Sequence, residues 1–439
     1  PVTAHDFVYA WQRAVDPEVA CEYSYLFSDI GQIVNAAEII AGTQDKSALG
    51  VEARDDYTLV VHLKAPVAYF LSLMYFPVFY PMEEAFLEQC GDAYGTSPET
   101  VQSNGAFVMA QYEPASTEFT LVKNEAYWDA DRVQLQQLHY QLVQDSQQAL
   151  LSYQAGDLDH IIISGDQMDQ VAGDPEFSTC NAGYLWYLSV NISQVPALEN
   201  LNLRLALANA IDRETMMVSV VKDGSQAAYF AVPDGLAVGP DGKDFRETAE
   251  DYSDVIGYDV KKAQAHLEAA KEELGVASFT FDIIVDDDAQ PQQVAAYLQQ
   301  QIESALPDVK INIVIKPKKQ RVLDCQQGNF ELALARWGPD YADPMTYLSM
   351  WKTGNNNNYG LWSNAAYDAL LESATTGEAA ADPQAGWEAL HQAEAIAVRE
   401  MVIIPLYEKN NAMMTKGYVS GIEFHPVAIG RVYKNAAVV

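Results

Sequence analysis

The stretch 336–344, with the sequence RWGPDYADP, places two carboxylates close together directly after an apolar segment. Asp343 precedes Pro344, a pair typical of a helix start in which the aspartate caps the first turn. Asp340 has no such structural role, and a carboxylate in this position can bind a cationic group of a ligand. Two neighbouring acids also suit acid–base hydrolysis of a glycosidic bond, so a glycoside hydrolase is an alternative interpretation.

The apolar segment 330–335 predicts a buried strand that positions Asp340. Upstream, residues 259–315 follow the order helix, strand, helix, strand, which indicates a parallel α/β unit. Ligands of open parallel sheets bind beyond the carboxyl ends of the strands. We therefore expect Asp340 at such an edge of the sheet.

Other segments predict the elements around this unit. Apolar residues at helical spacing predict a helix over 6–15, and alternation over 52–63 predicts a hairpin that turns at Asp55 and Asp56. The Gly-, Pro- and acid-containing stretch 232–254 is interpreted as a long surface loop. The acids 286–288 lack the spacing of an EF-hand, so they are interpreted as a strand end or solvated turn.

The composition excludes several classes of function. The chain has 439 residues with 26 Lys+Arg against 61 Asp+Glu, a net charge of −35, which disfavours binding to nucleic acid or to anionic lipid. The length predicts two or three domains, and 49% hydrophobic residues are typical of a folded protein. No sequence signature of a nucleotide-binding loop, a serine nucleophile or a zinc protease is present. We expect no catalytic residues, no cofactor and no metal.

The four cysteines are widely separated, without a CxxC pair, and are expected to be buried free thiols: Cys21, Cys90, Cys180 and Cys325. The uncharged run 65–82 is interrupted by three prolines and is shorter than the roughly 20 apolar residues of a membrane span. It is interpreted as buried chain.

Several segments, in order along nearly the whole chain, resemble the extracytoplasmic solute-binding proteins of family 5. These are the oligopeptide- and dipeptide-binding components of ABC transporters. The resemblance rests on VTAHDFVYAWQR at 2–13, SNGAF at 103–107, NEAYW at 124–128, NLRLA at 202–206, AIDR at 210–213, the stretch 336–344, and IPLY at 404–407.

The resemblance implies an α/β, two-lobed periplasmic-binding-protein-like fold of type II, in the class with an extra small domain. The family normally has further residues before the opening motif, so we expect an N-terminally truncated chain. Residues 1–80 would be the remainder of the small extra domain, 81–190 with 410–439 the first lobe, and 191–409 the second lobe. The expected location is extracytoplasmic, in the periplasm or on the outer face of the cell membrane, with a lipid anchor on an N-terminal segment absent from this chain.

The resemblance also implies the ligand site. The carboxylate that matches Asp340 takes the α-amine of the peptide in oligopeptide binders. Tyr184, Trp186 and Tyr187 lie where the family has an aromatic cluster, and Tyr407 lies near the hinge strand. These four residues either line the ligand pocket or pack in the core. The full set of expected ligand-binding residues is Asp340, Trp337, Gly338, Tyr341, Arg336, Trp186, Tyr187, Tyr184, Tyr407 and Asn104.

The resulting hypothesis is a monomeric protein, without enzymatic activity, that captures an oligopeptide between two lobes and delivers it to the membrane permease of an ABC transporter. An oligosaccharide held by stacked aromatics such as Trp337, Trp351 and Trp362 is an alternative within the same fold. Basic residues that serve peptide C-termini in some members are not matched near Gln326 and Leu334, which leaves the peptide length open.

Overall fold

The computed structural model describes residues 1–439 except 166, 172, 378, 380 and 381. The chain forms two compact units, residues 1–162 with 414–439 (unit 1) and residues 163–413 (unit 2). The chain passes from one unit to the other within strands β6 (His160–Ile163) and β12 (Ile403–Thr415). The three-part domain division expected from the sequence stays a prediction.

Unit 1 begins with a helix and a hairpin and continues into a small antiparallel sheet. Its helices are α1 (Ala4–Val15), α2 (Ala36–Ile40), α3 (Phe70–Leu73), α4 (Glu84–Cys90) and α5 (Ser146–Ala155). Its strands besides β6 are β1 (Val51–Asp55), β2 (Thr58–Val61), β3 (Phe107–Gln111), β4 (Glu118–Lys123), β5 (Gln137–Gln141), β13 (Val419–Ser420), β14 (Glu423–Phe424), β15 (Arg431–Val432) and β16 (Ala437–Val438). Strands β3, β4 and β5 form the antiparallel sheet in that order.

The predicted first helix and first hairpin are both confirmed. The backbone N–H of Thr3 donates to Asp6 Oδ2 at 2.6 Å, which closes a capping box at the start of α1. Trp11 is fully buried on the apolar face of this helix and donates from Nε1 to the carbonyl of Phe79 at 2.9 Å. Strands β1 and β2 pair antiparallel around the predicted turn.

Unit 2 contains most of the helices and the main sheet. Its helices are α6 (Gln167–Val171), α7 (Leu201–Asn209), α8 (Arg213–Met216), α9 (Phe245–Thr248), α10 (Ser253–Ile256), α11 (Val260–Leu274), α12 (Ala289–Ala305), α13 (Lys318–Gln326), α14 (Met345–Leu348), α15 (Ala365–Thr375) and α16 (Pro383–Arg399). Its strands besides β12 are β7 (Phe177–Val190), β8 (Gln226–Ala227), β9 (Phe279–Asp286), β10 (Val309–Lys316) and β11 (Leu332–Trp337).

The main sheet has the strand order β10–β9–β11–β7–β12–β6, with β8 paired to β12. Strands β9 and β10 are parallel, from Phe279 opposite Val309 to Asp286 opposite Lys316, and helices α11 and α12 precede them in the chain. The predicted parallel α/β unit over 259–315 is therefore confirmed. Strand β11 runs parallel to β9 and antiparallel to β7. The carboxyl ends of β9 and β11 consequently lie at the same edge of the sheet.

Two expectations from the sequence are wrong. The stretch 232–254 is not a surface loop, because it contains α9 and part of α10 and buries Phe245 and Tyr252 in the core. The apolar residues in this stretch outweigh its Gly and acid content. Among the four cysteines only Cys325 is buried, and the other three are partly exposed. Among the helices that the structure describes, none combines the length and the apolar character needed to cross a membrane.

Candidate functional site

Strand β11 brings the predicted residues to the carboxyl edge of the main sheet. The strand spans Leu332–Trp337, two residues later than the predicted 330–335, and so includes Arg336 and Trp337. Leu332 to Ala335 are buried, so both faces of the strand are covered by other residues. Because a shift of the strand would change which residues are buried, its register is fixed. Arg336 pairs with Trp186 of β7, and Trp337 pairs with Leu185. The two strands therefore place Arg336 and Trp337 beside Trp186, which were all predicted as site residues.

A stack of three side chains lies across neighbouring strands at this edge. The guanidinium carbon of Arg336 lies 4.7 Å from the centroid of the Trp186 ring, a cation–π arrangement. The ring of Tyr407, on β12, is stacked with that of Trp186 at a centroid distance of 5.4 Å and an interplanar angle of 12°. Trp186 and Tyr407 are buried. The stack therefore holds the Arg336 side chain against a rigid aromatic surface.

A buried carboxylate fixes the other end of Arg336. Asp286, the last residue of β9, accepts from Arg336 Nη1 through Oδ2 at 2.9 Å and from Arg321 Nε through Oδ1 at 2.7 Å. Asp286 and Arg321 are both buried, whereas Arg336 is partly exposed. The interpretation of 286–288 as a strand end is correct for Asp286, but this residue does not belong to a solvated turn. Its partners come from α13 and β11, which sequence spacing does not connect to it.

Two buried polar groups at this edge lack a hydrogen-bond partner among the described residues, the indole Nε1 of Trp337 and the hydroxyl of Tyr407. Burial raises the pKa of Tyr407 above its usual range, and the negative charge of Asp223 raises it further. Burial also raises the pKa of the Tyr187 hydroxyl. A buried donor without a partner costs roughly 1–3 kcal/mol, so both groups are candidates for hydrogen bonds to a ligand.

The loop after β11 is tied to the short helix α14, and this positions Asp340. The backbone N–H of Asp340 donates to the hydroxyl of Thr346 at 3.0 Å, and Thr346 is buried. The hydroxyl of Tyr347 donates to the carbonyl of Trp337 at 3.4 Å and also to that of Gly183. Asp340 itself is partly buried, while Tyr341 is buried in the core.

Gly338 provides close approach between this loop and β7. A Cβ at position 338 would lie 2.6 Å from the Cε1 and Cζ atoms of the Tyr184 ring. Tyr184 is exposed, in contrast to its neighbours Trp186 and Tyr187. Within the aromatic cluster, Trp186 and Tyr187 are therefore buried, whereas Tyr184 covers the backbone at Gly338.

Asp343 caps α14, although the helix begins one residue later than the sequence indicates. The carboxylate oxygen Oδ1 accepts the N–H of Met345 at 2.9 Å, and Pro344 occupies the N-cap position. Burial raises the pKa of Asp343 to about 7, against the stabilising effect of the Met345 N–H on the charged form. Asp343 therefore hydrogen-bonds the first residue of the helix, but the N-cap position itself belongs to Pro344 and not to Asp343 as predicted.

The remaining predicted residues belong to other segments of the chain. Trp351 and Trp362 are buried in the core of unit 2, and Trp362 donates from Nε1 to Glu400 Oε2 at 3.0 Å. They offer no open stacking platform. Asn104 is exposed and lies in unit 1, before β3. Within the part of the chain that the structure describes, no group of three or more His, Cys, Asp or Glu side chains is arranged to hold a metal ion.

Sequence reasoning missed three residues that position the site: Asp286, Thr346 and Tyr347. An acid at the carboxyl end of a predicted parallel strand was a signal for Asp286, since such ends share one edge of the sheet. Thr346 and Tyr347 follow a predicted helix cap, and nothing in the pattern distinguishes them from ordinary core residues.

A family model described as bacterial extracellular solute-binding proteins, family 5 Middle, matches residues 1–359 of the chain. The chain belongs to this family of bacterial extracellular solute-binding proteins. Proteins similar to it include a dipeptide-binding protein of Lactococcus lactis, with 31% identity over 99% of this chain and 80% of the relative. The periplasmic oligopeptide-binding protein OppA of Salmonella typhimurium is 29% identical over 96% of this chain and 76% of its own length.

Solved structures of similar proteins confirm the α/β fold. Listeria monocytogenes OppA bound to peptide has a TM-score of 0.80 and 33% identity, covering 100% of this chain and 84% of that chain. The substrate-binding domain of an oligopeptide ABC transporter from Bacillus anthracis has a TM-score of 0.81 and 35% identity with the same coverage. The predicted fold class and family are thus both confirmed.

Proposed function

We propose that this protein is a peptide-binding component of an ABC transporter, which captures oligopeptides and delivers them to a membrane permease as a monomer. Family membership and the similarity to a peptide-bound OppA support the proposal. The single observation in the site that carries it is the position of Asp340. Its backbone is fixed by Thr346 at the carboxyl edge of the sheet, where a carboxylate can receive a cationic group.

In this proposal Asp340 binds the α-amine of the peptide. An N⁺–H···O⁻ hydrogen bond of this kind contributes roughly 1.5–3 kcal/mol net. Trp337 and Gly338 line the same position, and the Trp337 indole supplies a donor that has no partner among the described residues. Tyr184 covers Gly338, and the buried Tyr341, Trp186, Tyr187 and Tyr407 are proposed to complete the set of ligand-binding residues. Asn104 is proposed as a further ligand contact.

The proposed role involves no catalysis. Relatives of this chain are named as peptide-binding proteins, and Asp343, the second acid required for a carboxylate-pair glycosidase, is already hydrogen-bonded to the first residue of α14. Incubation with chromogenic glycosides tests this part, and release of chromophore above the buffer control would contradict it. The protein is proposed to act outside the cytoplasm, the location given by its family description, and to be held there by a lipid anchor. Metabolic labelling of the product of the whole gene with a radioactive fatty acid tests the anchor.

Calorimetric titration with free-amine and N-acetylated forms of the same tri- to pentapeptides tests the role of Asp340. Wild-type protein should bind the free-amine form at least about tenfold more tightly, because acetylation removes the charged donor. Asp340→Asn should weaken binding of the free-amine form by a similar factor. It should change binding of the acetylated form much less, since the two changes remove the same interaction.

Glu272→Gln is the matched control, because Glu272 is an exposed carboxylate on α11 and loses one negative charge in the same way. It should bind both forms like the wild type. Equal binding of free-amine peptides by the wild type and Asp340→Asn would refute the assignment of Asp340. If none of these tri- to pentapeptides binds while a neutral oligosaccharide does, the proposed function is refuted.

A further inference from the structure

The ion pair with Asp286 uses only some of the hydrogen-bond donors of Arg336. Only Nη1 is used, in the contact with Asp286 Oδ2 at 2.9 Å, and the other two nitrogens have no hydrogen-bond partner among the described residues. The side chain is 21% exposed, and neither Nε nor Nη2 is among the buried unpaired atoms. Two adjacent donors of the guanidinium therefore reach solvent at the carboxyl edge of the sheet.

The cluster around Arg336 carries a positive charge. Two arginines, Arg321 and Arg336, share the single carboxylate of Asp286, so the cluster sums to 2 − 1 = +1. No second acidic side chain forms an ion pair with either arginine within the described residues. This local excess stands out in a chain with a net charge of −35. Because Arg321 is buried, the charge accessible from solvent is that of Arg336.

The guanidinium is also held in a fixed orientation. It lies over the Trp186 ring, which is stacked in turn with Tyr407, while Asp286 holds Nη1. A guanidinium presents its donors as a planar fork that matches the two oxygens of a carboxylate. Because the surrounding contacts already restrict its rotamers, little further conformational entropy is lost when an anion binds.

Arg336 precedes the proposed amine-binding residue Asp340 by four positions. Four extended residues span at most about 14 Å, so the Cα atoms of the two residues lie within that distance. An extended peptide rises about 3.3 Å per residue. A ligand whose amine is bound by Asp340 therefore reaches Arg336 with groups from about its first four residues.

We propose that Arg336 is a specificity-determining residue that binds a ligand carboxylate located within the first four residues of the peptide. The carboxylate comes either from an acidic side chain or from the C-terminus of a short peptide. The inference rests on the proposed peptide-binding function and adds a preference for anionic groups at a defined distance from the amine. In this role the ligand carboxylate completes the charge balance of the cluster.

Two series of peptides distinguish the sources of the carboxylate in calorimetric titrations of the wild type. One series contains C-terminally amidated alanine pentapeptides with Glu at position 1, 2, 3 or 4, each compared with its Gln counterpart. The other compares free-acid and amidated di-, tri- and tetra-alanine. At least one Glu peptide or one free-acid peptide should bind at least about tenfold more tightly than its neutral counterpart.

Arg336→Gln should reduce that ratio to within about twofold, whereas Arg336→Lys should keep part of it through charge alone. Arg399→Gln is the matched control, since Arg399 is half exposed and pairs with Glu250 at another position in unit 2. It should leave the ratio unchanged. Where Arg336→Gln fails to fold, the wild-type ratios and Arg336→Lys decide.

Ratios within about twofold for every wild-type pair, with neutral peptides still bound through Asp340, would overturn the inference and leave the proposed function intact. A ratio that survives Arg336→Gln would also overturn it. Failure of all peptides to bind, neutral ones included, would overturn the proposed function together with the inference.

Discussion

The carboxyl edge of the main sheet and the region around His160 stabilise ionisable groups that are shielded from water in different ways. In unit 2, Asp286 is buried as an ion pair with two arginines. In unit 1, His160 is kept neutral, because burial and the nearby positive charge of Arg431 lower its pKa to about 4. Its Nδ1 shares a hydrogen bond with the Thr415 hydroxyl at 2.9 Å.

The difference predicts different weaknesses. A buried ion pair contributes to the free energy of unfolding over a wide pH range, but removal of one partner is strongly destabilising because the other charge remains buried. A group that burial keeps neutral does not depend on a charged partner, but its contribution to the free energy of unfolding changes with pH. Within unit 2, Glu408 belongs to the second type, because burial raises its pKa to about 7. The comparison therefore concerns the local partners of each group and not the unit in which it lies.

Loss of the shared carboxylate should have the largest effect. Asp286→Asn is expected to lower the free energy of unfolding by about 3–5 kcal/mol, because Arg321 remains buried without a counterion. Urea denaturation measures the change. The exposed pair of Lys46 and Asp16 in unit 1 provides the control, and Lys46→Met should cost at most about 1 kcal/mol. Similar costs for both variants would contradict the distinction between buried and exposed pairs.

The free energy of unfolding should depend on the titration of Glu408. Its pKa is about 7 when folded and 4.5 ordinarily, so the folded state retains a proton that the unfolded state has lost. Its contribution is complete below pH 4.5 and falls by at most about 3 kcal/mol as the pH rises to 7. The difference between the wild type and Glu408→Gln across this range isolates the effect. A difference independent of pH would show that Glu408 does not titrate in this way.

His160 should produce a pH dependence of the opposite sign. Its folded pKa of about 4 lies below the ordinary 6.5, so the unfolded state binds the proton first on acidification. Its contribution is present above pH 6.5 and should decline by about 2 kcal/mol towards pH 4, since the ring is only partly buried. His160→Asn should remove this slope, as measured by denaturation at several pH values. An unchanged slope in the variant would assign the dependence to other groups.

The smallest expected effect on stability comes from Gly338→Ala at the site itself. The new Cβ would lie 2.6 Å from the Tyr184 ring, but this ring is exposed and can move, so the expected cost is below about 1 kcal/mol. Peptide affinity should nevertheless fall by about threefold or more, because the displaced ring alters the surface beside Asp340. Calorimetry and thermal melts measure the two quantities. A large loss of stability with unchanged affinity would contradict this separation.

The sequence predicts the local elements of this protein well and the site in part. Helix α1, the hairpin of β1 and β2, and the parallel unit over 259–315 follow from residue periodicity, because each is stabilised by contacts along one short segment. The buried Phe245 in 232–254 was missed, since composition suggested a loop while distant residues supplied the core. Trp351 and Trp362 have the residue type of ligand platforms but lie in the core, a distinction that depends on tertiary burial.

The sequence alone determined the α/β class, the family resemblance, and Asp340 as a carboxylate without a local structural role. It could do so because helix caps, alternation and turns depend on residues a few positions apart. Only the tertiary structure placed Asp286 between Arg321 and Arg336, and Trp186 between Arg336 and Tyr407. These contacts join β9, β11, β7, β12 and α13, whose neighbours are set by strand order and register. That arrangement decides which charge reaches solvent and which stays buried.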